Sequence, residues 1–242
     1  MKWINRAGTQ YLPLYLDMSK QTHLLIAGAS GSGKSVVING IIQALLACKT
    51  PAHCQFVLLD PKRVELSIYK GLPHCVSYAS ENGAMIQALR FTLDIIDGRY
   101  KSMQAQNLRK YNGPDLYVII DELADLMTTA KKDVQPLLQR ICQIGRAACV
   151  HVIAATQCPL ASIIPTAIKV NFDSRVGLRT RSAQDSRNIL GCTGCETLPR
   201  YGFGYYMTPE LLVPTRYPLH MFSDSDIQIL IDYWTSPNCK IA

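Results

Sequence analysis

Residues 23–35 read HLLIAGASGSGKS, and residues 36–48 continue as VVINGIIQALLAC. A strand-length apolar run breaks into glycines, hydroxyls and one lysine, then resumes with helical period. Gly28, Gly33, Lys34 and Ser35 fall on the fixed positions of G-x-x-x-x-G-K-[ST]. Glycines carry no Cβ, so the backbone can turn tightly against an anion and converge its N–H groups, here Gly31 to Ser35, upon it. A helix starting near Lys34 adds its positive end. GASGSGKS, comprising Gly28, Ala29, Ser30, Gly31, Ser32, Gly33, Lys34 and Ser35, is therefore predicted to cradle the phosphates of a nucleotide. Lys34 would reach the β- and γ-phosphates, and the Ser35 hydroxyl would be a ligand of Mg²⁺. Ser30 and Ser32 read as turn residues. The competing reading, a flexible loop that happens to carry a lysine, is disfavoured by the strand before it and the helix after.

A triphosphate bound for hydrolysis also needs a carboxylate for the metal and a base for water. LYVIIDE, residues 116–122, supplies both. Its apolar strand delivers Asp121 to hold Mg²⁺, and Glu122 follows as candidate general base. A further strand, VHVIAAT at 150–156, ends in Thr156 and Gln157. It would lie beside the Asp121 strand if the sheet is ordered as in RecA-like NTPases, with the Gln157 side chain sensing the γ-phosphate. A plain strand-ending polar cap is the alternative.

Outward from these motifs the chain alternates strands and helices, the pattern of an α/β fold with a mostly parallel central sheet flanked by helices. Strands are predicted at His23 to Ala27, Gln55 to Asp60, Leu116 to Asp121, Val150 to Thr156, Arg175 to Leu178 and Phe203 to Met207. Helices are predicted at Lys34 to Cys48, Glu81 to Gln104 and Val134 to Ala148, with Pro136 suited only to a first turn. Residues 1–242 read as a single domain with a short lead-in over 1–20. The 48% hydrophobic content suits a packed core, and no stretch is long and apolar enough to span a bilayer. Without a signal-peptide pattern at residues 1–20, the nine cysteines read as reduced thiols and the chain as cytoplasmic. Cys192 and Cys195 form a C-x-x-C, but no second pair completes a zinc site. The net charge of +7 suggests a polyanionic partner. Arg99, Lys101, Arg109 and Lys110 make the end of the long helix and its following loop basic, although a solvated helix terminus would look the same.

Six ordered blocks carry a more specific likeness: HLLIAGASGSGKSVVINGIIQALL, FVLLDPKRVELSIYKGLPH, RYKSMQAQNLRKYNG, YVIIDELADLM, IGRAACVHVIAATQCP and RTRSAQDSRNILG. Together they resemble the motor domain of the FtsK/SpoIIIE family of DNA translocases, from about Leu12 to Trp234. The resemblance implies a RecA-like P-loop ATPase that forms a homo-hexameric ring and pumps double-stranded DNA through its channel. It implies ATP sites at subunit boundaries, with Arg187 as the finger offered to a neighbour and Arg146 as runner-up; a structural ion pair is the alternative for either. Arg109, Lys110 and Arg200 are candidates for DNA phosphate contacts. Larger family members carry a membrane anchor and a C-terminal winged helix, which this sequence is expected to lack, so a partner protein for loading or anchoring is implied. Cys158 stands where the family usually has arginine, and Cys149 where it usually has glycine. Two related functions share the same motifs, a type VII secretion-like protein-export ATPase and a conjugative coupling ATPase moving single-stranded DNA. A nucleotide-gated binding module that hardly turns over is a further alternative, against which Glu122 argues. Chromosome segregation, plasmid or phage maintenance and mobile-element transfer are not distinguished.

Overall fold

The structure is a computed structural model that describes residues 3–4, 10–11, 21–160, 162–211 and 213–236. Two short strands, β1 (Trp3–Ile4) and β2 (Gln10–Tyr11), pair antiparallel; the rest of the lead-in over 1–20 lies outside the described residues. The elements that follow are β3 (His23–Ala27), α1 (Lys34–Cys48), β4 (Cys54–Leu59), β5 (Cys75–Ala79), α2 (Asn82–Ala105), β6 (Asp115–Ile120), α3 (Leu123–Thr129), α4 (Lys131–Ile144) and β7 (Val150–Thr156). After them come α5 (Thr166–Lys169), β8 (Ser174–Gly177), α6 (Ala183–Leu190), β9 (Phe203–Met207), β10 (Thr215–Pro218) and α7 (Asp224–Thr235).

The main sheet has eight strands in the order β10-β9-β8-β3-β7-β6-β4-β5. From β8 to β5 the strands run parallel, and β9 and β10 extend the sheet by antiparallel pairing. Alternate residues of the central strands feed two separate cores. Leu25, Val57, Val118 and Val152 face one containing Leu89 and Ile96 of α2 and Leu138 of α4. Leu24, Phe56, Tyr117 and Ile153 face the other, containing Ile38 and Ile42 of α1 and Ile231 and Trp234 of α7. Burial on both faces is why these strands are continuous apolar runs rather than alternating ones. Ile42 is 0% exposed at the centre of the second core, and its truncation to Ala would cost about 2–5 kcal/mol.

β3, β7, β9 and α1 coincide with their predicted limits, while β4, β6 and β8 each begin and end one residue earlier than predicted. α4 differs more. It starts at Lys131 and ends at Ile144, so Pro136 lies inside the helix beyond its first turn. The register is fixed by the burial of Val134, Leu138 and Ile141, an apolar stripe that the proline does not interrupt. Arg99 is also not part of a basic surface: it is buried, donates to the carbonyls of Ala148 and Cys149, and lies 4.5 Å from the Tyr111 ring. None of the described helices is long and apolar enough to cross a membrane.

Candidate nucleotide site

The loop between β3 and α1 is anchored at its start and open at its end. Gly28 N–H donates to the Thr156 carbonyl at 3.2 Å, and Ala29 N–H donates to the Arg179 carbonyl at 2.8 Å, tying the loop to the ends of β7 and β8. Gly28 has no room for a side chain: a Cβ would stand 2.6 Å from Ser32 Oγ and 2.7 Å from Leu178 Cβ. Gly31 and Gly33 adopt φ of 69° and 102°, the left-handed region that favours glycine. Ser32 N–H turns back onto the Ala29 carbonyl, so it does not join the converging donors as the sequence suggested. Among the described residues the N–H groups of Gly31, Gly33, Lys34 and Ser35 have no acceptor. Donors left free at the start of a helix form an anion site. Ser32 Oγ is buried there without a partner as well.

The Lys34 ammonium donates to the carbonyls of Gly28 and Ala29 at 3.0 and 2.9 Å, folded back over the loop. Burial lowers its pKa to about 8 against the opposing pull of Glu122. Asp121, at the end of β6, is 7% exposed, and burial together with the carboxylates of Asp60 and Glu65 raises its pKa to about 6. Asp60 Oδ1 is buried without a hydrogen-bond partner. Crowded carboxylates with an orphaned oxygen fit a divalent cation, and a cation completed by phosphate oxygens and water needs few protein ligands. Ser35 and Asp121 suit that role.

Glu122 caps α3 and is 2% exposed. Its carboxylate accepts from the Ala124 N–H at 3.3 Å and from the Gln157 N–H at 3.0 and 3.2 Å, and Lys62 Nζ stands 3.4 Å from Oε2. β7 lies between β3 and β6, as the RecA-like order required. Gln157 therefore does meet Glu122, but through its main chain, while its side chain is exposed. Beside it a cavity of about 290 Å³ opens, lined among others by Gly28, Ala29, Gln157, Thr180 and Arg181.

Asp60 and Lys62 were not singled out as site residues in the sequence. The available signal was FVLLD, an apolar strand ending in a carboxylate like YVIID. β4 and β6 pair in register, Leu59 opposite Ile120, so the residues after each strand emerge side by side.

The remaining predicted residues are dispersed. Arg187 is exposed on α6, and among the described residues no carboxylate pairs with it within 4 Å. Arg146 lies in the turn between α4 and β7, near His23 and so at the end of the sheet away from the cradle. Arg109 and Lys110 are exposed in the loop leading into β6, at that same far end. Arg200 instead stands beside the cradle, its Nη2 3.7 Å from where a Cβ on Gly31 would sit. Cys195 is buried, its thiol pushed up to about 11 by burial, while Cys192 is exposed, and neither is in a disulfide.

A parallel sheet with this strand order, a glycine loop into α1 and an acidic pair at the end of β6 define a RecA-like P-loop ATPase fold. The chain matches the FtsK/SpoIIIE family over residues 8–115 and 109–161 and belongs to that family. DNA translocase FtsK of Rickettsia bellii is 35% identical across 91% of this chain, and that of Halalkalibacterium halodurans is 36% identical across 91%. The chain spans about a third of the length of these relatives, 35% and 30% respectively. Among solved structures, the cytoplasmic domain of the Thermomonospora curvata type VII secretion ATPase EccC superposes with a TM-score of 0.78 at 24% identity, covering 94% of this chain and 30% of that one. The pCW3 conjugation coupling protein TcpA, solved with ATPγS, gives 0.79 at 20% identity, covering 96% of this chain and 69% of that one.

Proposed function

We propose that this chain is an ATP-hydrolysing motor that translocates double-stranded DNA, working as a homo-hexameric ring with its ATP sites at subunit boundaries. The observation that carries the hydrolytic reading is the buried Glu122 carboxylate, held between Lys62 and two main-chain N–H groups next to the phosphate loop. A binding-only switch has no use for a base so positioned. The family relationship to DNA translocases supports the DNA part.

Free N–H groups of Gly31, Gly33, Lys34 and Ser35 receive the phosphates, and Lys34 leaves the carbonyls of Gly28 and Ala29 to pair with them. Ser35 and Asp121 would hold Mg²⁺, which would supply charge neutralisation on the phosphate oxygens. Glu122 takes the proton of the attacking water, and its loss as Glu122→Gln would cost about 10²–10⁴ in turnover. Gln157 reads the γ-phosphate with its side chain while its N–H orients Glu122. A neighbour's Arg187 completes the site, and Arg109 and Lys110 track DNA phosphates at the other end of the sheet. The ring works in the cytoplasm, with a separate protein loading or anchoring it.

Steady-state ATPase assays with duplex DNA, single-stranded DNA and no DNA, each over a range of salt, test this. Duplex stimulation that fades steeply with salt is expected of phosphate contacts. ATPase activity indifferent to duplex DNA would sink the translocase assignment. The resemblance to EccC and TcpA in fold favours a second reading, an export or conjugative motor. Stimulation by a signal peptide, or by single strands in place of duplex, would select it.

A further inference from the structure

Arg200 lies in the turn that leads into β9. That turn is fixed against the cradle by several contacts. Gly202, at φ 87°, accepts a hydrogen bond from the Leu219 N–H at 2.9 Å, closing the end of the β9–β10 pair. Leu219 packs on the phosphate loop, its Cδ1 3.0 Å from where a Cβ on Gly33 would sit. Phe222, three residues on, reaches toward Gly40 of α1, its ring 3.8 Å from the corresponding point. The segment thus covers the loop and the first turns of α1.

From this cover Arg200 brings Nη2 to 3.7 Å from where a Cβ on Gly31 would sit, and, the chain neighbours of Gly31 apart, no other heavy atom of the described residues comes within 4 Å of that point. Its Cζ also lies 5.3 Å from the centroid of the Tyr201 ring. Among the described residues no carboxylate pairs with it. A planar fork of donors, uncompensated and set at the rim of an anion cradle, is suited to phosphate oxygens. The nearby N–H of Gly31 is itself without an acceptor.

We propose that Arg200 is a nucleotide-binding residue of its own subunit, a second cation on the polyphosphate of ATP beside Lys34, rather than a contact to DNA. This rests on the ATPase reading of the site. Its ligand class is a nucleoside triphosphate, with selectivity over the monophosphate, because the guanidinium sits at the phosphate loop.

The test is equilibrium binding of fluorescent ATP, ADP and AMP analogues, and separately of duplex DNA, to the full chain and to Arg200→Ala, Arg200→Lys and Lys34→Ala. Arg200→Ala should weaken ATP binding by about tenfold, the usual range for a charge-assisted hydrogen bond. ADP should lose less, Arg200→Lys should recover part of the loss, and duplex affinity should be unchanged. Arg200→Ala that binds ATP like the parent overturns the assignment, whether or not duplex affinity falls. If the parent binds ATP no better than Lys34→Ala, the ATPase reading fails with it. Because Arg200 is exposed, a thermal midpoint equal to the parent's will show that the variants are folded.

Discussion

The ammonium of Lys62 stands 3.4 Å from the Glu122 carboxylate, and 4.0 Å from that of Asp125. The lysine comes from the loop after β4 and the glutamate from the end of β6, neighbouring strands whose ends the register brings level. With Glu122 as the proposed general base, Lys62 would be a positioning residue, since its ammonium touches that carboxylate. Lys62→Met should lower kcat by roughly tenfold, a fraction of the 10²–10⁴ that a general base contributes, with KM for ATP little changed. The double variant with Glu122→Gln should be no slower than Glu122→Gln alone, because the lysine acts through the glutamate. Additive losses would mean that Lys62 has a separate task.

Arg187 and Glu122 belong to different sites if the ring reading is right, which gives a complementation experiment. Arg187→Ala should lose about 10³–10⁵ in kcat while ATP binding persists. Mixing Arg187→Ala with Glu122→Gln chains should restore turnover, since some boundaries then pair an intact base with an intact arginine. A mixture as inactive as either parent variant would argue for Arg187 acting elsewhere.

Gly28 is constrained by packing, not by its backbone angle. Gly28→Ala drives a Cβ into Ser32 and Leu178, which should cost about 1–3 kcal/mol as overpacking and abolish ATP binding by displacing the loop. Gly71, where an added Cβ meets nothing within 4 Å, is the control; Gly71→Ala should change stability by less than about 0.5 kcal/mol. Chemical denaturation of both variants would show the contrast.

His23 makes stability pH-dependent far from the nucleotide. The Val152 N–H donates to its Nδ1 at 3.0 Å, so the ring proton resides on Nε2, which donates to the Cys142 carbonyl at 2.9 Å. Burial, with His151 and Arg146 nearby, lowers its pKa from 6.5 to about 4, the Cys142 bond working the other way; Asp173, the acidic neighbour, has its own pKa raised by burial. Between those pH values the unfolded chain binds more protons than the folded one. This contribution is therefore complete above about pH 6.5 and falls by about 3 kcal/mol as pH drops to 4. His23→Gln should show a shallower decline of unfolding free energy over that window than the parent; parallel curves would refute the assignment.

The cradle and the central strands were readable because their constraints are local. HLLIA and VHVIAAT are buried at every position, HLLIA ending at Gly28 and VHVIAAT at Gln157, and their limits coincide with the structure. β5 (CVSYA) escaped because it is a sheet edge with only Ala79 fully buried, and α3 because its seven residues are too few to show a period. Pro136 misled the reading of α4, whose buried stripe outweighs the missing N–H. Lys62 and Arg200 reach the Glu122 carboxylate and the Gly31 turn across strand ends and a hairpin, relationships that spacing along the chain does not encode. Cys149 joins local and non-local causes. Its φ of 53° lies in the left-handed region that favours glycine, and the cysteine that adopts it is buried and donates from Sγ to the Tyr111 carbonyl.

Thr156 and Gln157 share one peptide group. Its carbonyl receives the Gly28 N–H of the loop, and its N–H meets Glu122. That unit is planar and rigid, so the spacing between the phosphate-loop Gly28 and the Glu122 carboxylate is gauged by a crossbar of fixed length instead of by rotamers. Side-chain substitutions at either residue leave the bar in place. As long as both hydrogen bonds hold, a displacement of Gly28 is passed through this peptide to the Glu122 carboxylate.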